Sequence, residues 1–382
     1  MIGRNDVFAL AFLGALAASA LSGQQAAPVA DLGPKLEELR ATSKVPALAA
    51  AVVTADGVVA RGASGVRKQG DGTPATVNDL WHIGSITKSF TSMLFARLVE
   101  AGKIRFEQTL VEILPEAEGT PYAQVTFEQL LSHRSGMPEN PPMTSLVKGR
   151  TSKDPLVEQR RQLVAEILAS PPVHEKGSAF LYSNAGYVVT GAALERLTAT
   201  PWEDLVRAQV IVPLDLRSAG FGPPGTAGAV DQPYGHLYPI GAARPPHPIP
   251  PGPLADNPPF LGPAGTLHLS IDDLAAYLKD HMNGESGSGA LLSAESYRRL
   301  HRALGDRYAL GWVDDRPDWA DSERLVWHNG SNSMWYAMIG FFPDRGLGIV
   351  AVSNGGLGSE AVVTRAFQQI AREWRKDPAP SN

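Results

Sequence analysis

The chain has 382 residues, 43% of them apolar, and a formal net charge of −5, which is ample for a large buried core and more than one simple domain requires. No run of Lys or Arg rises above scattered surface charge, which argues against nucleic acid or an anionic membrane as a partner and leaves a small molecule or a peptide. Cysteine is absent, so disulfides, thiolate metal sites and lipid attachment to Cys are excluded.

At the start, Arg4 precedes an apolar stretch from Val7 to Leu21, and Ala18-Ser19-Ala20 offers the small residues that a signal peptidase accepts. Residues 1–23 are therefore expected to be a cleaved secretion signal, with the protein exported to the periplasm or the medium. The stretch falls short of the about 20 apolar residues that span a bilayer, so no stable membrane insertion is expected after cleavage.

Next, apolar residues at helical spacing from Asp31 to Leu39 predict a helix. Val45 to Val53 and Gly57 to Ala60, flanking Asp56-Gly57, predict a β-hairpin. Ser85 to Ala101 carries an apolar helical stripe that stops at Gly102. Helical patterns continue to about Leu216. From Phe221 to Pro263 the chain is rich in Pro and Gly, which predicts a long irregular loop without regular ladders, either walling a cleft or forming a surface insertion.

A helix is predicted again over 270–283. Strands follow at Tyr308–Trp312, Leu325–His328, Tyr336–Phe342 and Gly348–Val352, and a last helix runs over 359–375. Strands near both ends with helices between them imply an α/β (α+β) fold, an antiparallel sheet flanked by helices and built from both chain ends, with an inserted, mainly helical lobe. The domain is expected over 31–375, its sheet lobe at about 31–105 and 264–375 and its helical lobe at about 106–263.

The candidate chemistry begins at Ser85-Ile86-Thr87-Lys88. Residues three apart on a helix share a face with Cβ atoms roughly 5–6 Å apart, so the Lys88 amine can reach the Ser85 hydroxyl. A serine needs such a base, and a lysine can be one when desolvation or a nearby cation lowers its pKa. A second copy, Ser145-Leu146-Val147-Lys148, follows Pro141-Pro142 and lacks a sustained apolar stripe. Context favours Ser85. His133 sits in a segment expected to serve packing, and His236 and His247 lack metal-ligand spacing. No metal and no cofactor are expected.

Tyr182-Ser183-Asn184 precedes an apolar helical run, and His328-Asn329-Gly330 ends a predicted strand. With Ser85-Ile86-Thr87-Lys88, in this order, they resemble the serine penicillin-recognising superfamily, in the branch of class C β-lactamases, D-alanyl-D-alanine carboxypeptidases, aminopeptidases and related esterases. Trp81-His82-Ile83-Gly84, residues 126–137, Pro263-Ala264-Gly265-Thr266-Leu267 and Gly311-Trp312 extend the likeness over nearly all of the mature chain.

The resemblance implies a β-lactamase/transpeptidase-like fold and a monomeric serine hydrolase in which Ser85 attacks a carbonyl and Lys88 shares its proton. Tyr182 would be general base or part of the proton relay, its phenolate held by the Lys88 cation. Asn184 would bind the substrate amide or position Lys88. His328, Asn329 and Gly330 would line the opposite side of the cleft, and the amides of Ser85 and Ser331 would form the oxyanion hole.

Class C β-lactamases carry Lys-Thr-Gly where this chain has His328-Asn329-Gly330. Histidine, with an ordinary pKa of about 6.5, is mostly neutral at pH 7, so a D-peptidase or esterase with weak or no β-lactam turnover is expected. A class C-like β-lactamase and a non-catalytic penicillin-binding or sensor protein are the alternatives. His328 is expected to hydrogen-bond Tyr182 or a substrate oxygen. The Gly-x-Ser-x-Gly of α/β-hydrolases and the Ser-Asp-Asn and Lys-Thr-Gly of class A β-lactamases are absent.

Overall fold

A computed structural model describes residues 28–238 and 245–376. The expected secretion signal, residues 1–23, lies outside the described residues, among which no helix is long and apolar enough to cross a membrane.

The strands, in chain order, are β1 (Ala30–Asp31), β2 (Ala47–Thr54), β3 (Val58–Gly65), β4 (Leu80–His82), β5 (Gly220–Phe221), β6 (Gly235–Leu237), β7 (His247–Ile249), β8 (Leu267–Ser270), β9 (Val313–Asp315), β10 (Leu325–Ser331), β11 (Tyr336–Phe342) and β12 (Leu347–Ser353). The main sheet runs β1-β3-β2-β12-β11-β10-β9. It joins the two ends of the chain as expected, because β2 pairs with β12 antiparallel, Ala51 facing Val350. Only β1 pairs with its neighbour in parallel.

Period-two alternation gives this sheet two cores. Along β2, Ala49, Ala51 and Val53 pack with the body of the molecule, while Leu48, Ala50 and Val52 face the helices Gly33–Ser43 and Glu360–Lys376. Alanines fill the centre of β2 because layers press on both of its faces, and small side chains let them approach.

The helical lobe is tied together by Arg160 of the helix Leu156–Ala169, whose guanidinium meets Glu195 and Glu203, each at 2.6 Å. These carboxylates belong to the helices Asn184–Thr198 and Trp202–Val206. Removing Arg160 would leave two carboxylates without their cation, which is why such a triad holds three helices in one arrangement.

Two expectations are corrected. Tyr308–Trp312 is a tight turn and not a strand. Gly311, at φ +81, packs on the helix Thr87–Glu100 so closely that a Cβ there would lie 3.0 Å from the Lys88 carbonyl oxygen. The chain must bend there, and Ala309 N–H closes the turn on Trp312 O at 2.7 Å. The Pro/Gly-rich segment also holds a short ladder, β6 with β7, in which Pro248 faces His236. Two-stranded and at an edge, it can place a residue that lacks an N–H where no donor is needed.

Candidate active site

Strand β4 leads through Gly84, at φ +51, into a single tight turn, Gly84–Ile86, and then into the helix Thr87–Glu100. Ser85 thus sits one turn ahead of the α-helix rather than opening it. A Cβ on Gly84 would lie 2.2 Å from Ser331 N, and one on Gly330 would lie 2.6 Å from Ser85 N. The end of β10 is therefore pressed backbone to backbone against the nucleophile turn. Ser85 and Ser331, both lining one cleft, are the pair whose amides an oxyanion hole requires.

Lys88 is fully buried. Its Nζ lies 3.0 Å from Ser85 Oγ, 2.7 Å from Asn184 Oδ1 and 2.7 Å from Ala264 O. Among the described residues no carboxylate pairs with it, and burial holds its pKa well below the ordinary lysine value. A neutral amine has two N–H groups and one lone pair. Asn184 Oδ1 and Ala264 O can only accept, so they take both N–H groups, and the lone pair is left facing the Ser85 hydroxyl.

Tyr182 is in the opposite state. Burial pushes its phenol above the ordinary value, with the Ser85 hydroxyl offsetting part of the effect. The Lys88 nitrogen lies over the Tyr182 ring, 4.8 Å from its centroid. Burial thus pushes Lys88 toward the neutral amine and Tyr182 toward the neutral phenol, against the expected phenolate held by a Lys88 cation, and in those forms the amine can accept a proton and the phenol can donate one.

Asn184 spends its other end on Asn140, Nδ2 to Oδ1 at 2.7 Å. The Tyr182–Asn184 segment is seated by residues 133–139: Ser183 N–H donates to His133 Nδ1 at 2.9 Å, and Asn184 N–H to Glu139 O at 2.7 Å. His133 packs its ring 4.2 Å from that of Tyr182, so the packing expected of it is packing on the site itself.

His328 and Asn329 call for correction. His328 Nε2 is 2.9 Å from Tyr308 OH, not bonded to Tyr182, and its Nδ1 faces Asn329 O. Burial, with Lys88 nearby, pushes its pKa down to about 3. Its neutral imidazole donates from Nδ1 to the carbonyl and accepts the Tyr308 proton at Nε2. Asn329 points to the other sheet face, where Nδ2 donates to Tyr336 OH at 2.6 Å; neighbours on a strand cannot share a face. Gly330 and Ser331 contribute backbone, and Ser331 Oγ donates to Trp335 O at 2.6 Å. The second Ser-x-x-Lys copy is elsewhere: Ser145 bonds Glu166, and Lys148 is exposed on the surface helix Met143–Gly149.

Sequence reading missed a buried network behind the nucleophile turn. His82 Nδ1 accepts the Gly84 N–H at 3.1 Å, and its Nε2 lies 2.8 Å from Asp256 Oδ1. The same oxygen accepts from Asn332 Nδ2 at 2.9 Å and Asn257 N–H at 2.6 Å. Asn257 Nδ2 in turn donates to Gly265 O at 2.9 Å. One carboxylate from the Pro/Gly-rich segment thus braces Gly84 on one side of the oxyanion hole and the residue after Ser331 on the other. That segment walls the cleft.

Asp256→Ala is expected to lower kcat by about 10-fold or more with little change in KM, since one misplaced oxyanion donor costs up to about 10²–10³. Steady-state kinetics beside Asp256→Asn, which retains one acceptor, would check it; equal kcat for Ala and wild type would remove the brace from the mechanism.

Comparison with known proteins agrees with this geometry. A family model described as Beta-lactamase matches residues 34–372. Penicillin-binding protein 4 of Amycolatopsis lactamdurans is 27% identical over 352 residues, 89% of this chain and 87% of that protein. Among solved structures, the octameric penicillin-binding protein homologue from Pyrococcus abyssi superposes with a TM-score of 0.71 at 24% identity, over 89% of this chain and 77% of its own. A D-stereospecific amidohydrolase from Streptomyces sp. gives 0.69 at 21% identity, over 87% and 96%. At such identities the structural matches carry the fold, which is β-lactamase/transpeptidase-like.

Proposed function

Because this chain belongs to the Beta-lactamase family, whose members are generally serine hydrolases, we propose that it cleaves an ester or amide through an acyl-enzyme on Ser85, as a D-peptidase or esterase with weak or no β-lactam turnover. The carrying observation is the placement of Lys88, whose two N–H groups have fixed acceptors and whose remaining site faces Ser85 Oγ at 3.0 Å.

In the first step Ser85 Oγ bonds to the substrate carbonyl carbon while its proton passes to Lys88 Nζ. The carbonyl oxygen, now negative, is held by the Ser85 and Ser331 amides. As the bond to the leaving nitrogen or oxygen breaks, Tyr182 donates its proton to that atom and recovers one from the Lys88 ammonium. Water then attacks the acyl-serine by the same relay in reverse.

The neutral His328 supports the restriction on β-lactams, because the strand offers no cation where class C enzymes have lysine. The N-terminal stretch supports a site of action outside the cytoplasm. Ser85→Ala is expected to abolish covalent labelling by a fluorescent penicillin and release of p-nitrophenol from p-nitrophenyl acetate. No serine-dependent acylation of the wild type by either probe would sink the proposal.

A further inference from the structure

The cleft in front of Ser85 encloses about 320 Å³. Asn184 and Ser331 line it and Tyr182 does not, so it extends away from the hydroxyl that protonates the leaving atom. On the reading above, that leaves it as the space open to the acyl part of a substrate. Its far wall is the short helix Met143–Gly149, which turns Leu146 and Val147 toward Leu261 of the Pro/Gly-rich segment. Met143 and Val147 are 72% and 63% exposed, an apolar pair left open beside a reactive serine, as ligand-binding surfaces commonly are.

Arg150 ends that wall and, among the described residues, is the one side chain of its lining with a formal charge at neutral pH; it also borders a second cavity together with Pro253 and Asp256. Its Nη1 donates to the carbonyls of Pro253, at 3.2 Å, and Asp256. The helix end it follows is seated on Phe260, whose ring a Cβ on Gly149 would meet at 1.9 Å. The guanidinium is therefore held in place. Among the described residues no carboxylate pairs with it, and that of Asp256 is turned inward to His82 and Asn332. With backbone partners only, Arg150 keeps its charge and has N–H donors to offer.

We propose that Arg150 binds an anionic group on the acyl part of the substrate: an ester or amide whose acyl chain lies along Met143, Leu146 and Val147 and ends in a carboxylate. This inference rests on the acyl-enzyme reading above and adds the substrate's charge to it. His328 sharpens the point, because with that imidazole neutral Arg150 is the one cation lining the cleft among the described residues.

The test compares p-nitrophenyl hemiglutarate with p-nitrophenyl pentanoate, and the longer hemisuberate with octanoate, so that reach does not decide the outcome. The quantity read is the ratio of kcat/KM within each pair, which cancels differences in folded fraction between preparations. Wild type is expected to favour the anionic ester of at least one pair by about 10-fold, as one charge-assisted hydrogen bond allows, with the ratio shrinking in added salt. Arg150→Gln should bring the ratio near one and Arg150→Glu below one. A ratio near one for both pairs in wild type, or one that survives Arg150→Gln, overturns the assignment of Arg150. If the wild type hydrolyses none of the four esters, this inference is overturned; the acyl-enzyme reading fails with it only when a fluorescent penicillin and p-nitrophenyl acetate also leave Ser85 unacylated.

Discussion

Lys88→Met is expected to lower kcat/KM for an activated ester by about 10²–10⁴, the usual contribution of a positioned base. Methionine matches the length of the lysine stem and brings no charge into a site where Lys88 is fully buried. The cost in stability should be confined to the acceptors at Asn184 and Ala264 that lose a donor, about 1–3 kcal/mol each at most.

The pH profile distinguishes this role from a structural one. Burial lowers the Lys88 pKa from its ordinary value, so the working form is the neutral amine. Activity is then present above that lowered pKa and lost as pH falls through it and the amine takes up a proton. The acid limb of kcat/KM should vanish in Lys88→Met. His328 cannot supply it near neutrality, since its own pKa is pushed down to about 3. An acid limb unchanged in Lys88→Met would assign the base to another group.

The second large effect is expected at Gly330. An alanine methyl there would lie 2.0 Å from Ile83 O and 2.6 Å from Ser85 N, atoms of backbone that cannot swing aside like a flexible side chain. Gly330→Ala must push β10 off the nucleophile turn, separating the amides of Ser85 and Ser331. We expect kcat to fall by about 10²–10³, the worth of one oxyanion donor, and stability to fall by about 1–3 kcal/mol, as for overpacking elsewhere. Kinetics and thermal melting would measure both. Gly72→Ala, where nothing lies within 4 Å of the added Cβ, is the silent control; a Gly330→Ala enzyme as active as that control would remove the close approach from the mechanism.

Much of this site was legible before any coordinates. Ser85 and Lys88 share a face because of their spacing, and the Tyr182-Ser183-Asn184 triplet stands at the start of a helix, where Ser183 Oγ caps Gly186 N–H at 3.0 Å. The misreadings have a common cause. His328 and Asn329 are adjacent in sequence and were placed on one side of the cleft, yet a strand sends neighbours to opposite faces, and only the sheet's packing says which face is the cleft. The turn at Tyr308–Trp312 alternates like a strand until Gly311 meets the backbone at Lys88 and Ser89.

By itself the sequence determined the hairpin, the helices at the two ends, the nucleophile with its amine, and the order of motifs that marks the family. These depend on spacing within a turn or two, where geometry is local. The direction in which the pKa values of Lys88 and Tyr182 move, the partner of His328, the brace at Asp256 and the place of Arg150 in the cleft lining were decided by tertiary structure alone. Each depends on which groups from distant parts of the chain exclude water together. Asp256 and His82 meet across 174 positions of sequence at 2.8 Å, and no local pattern encodes that meeting or the loss of solvent that moves a proton.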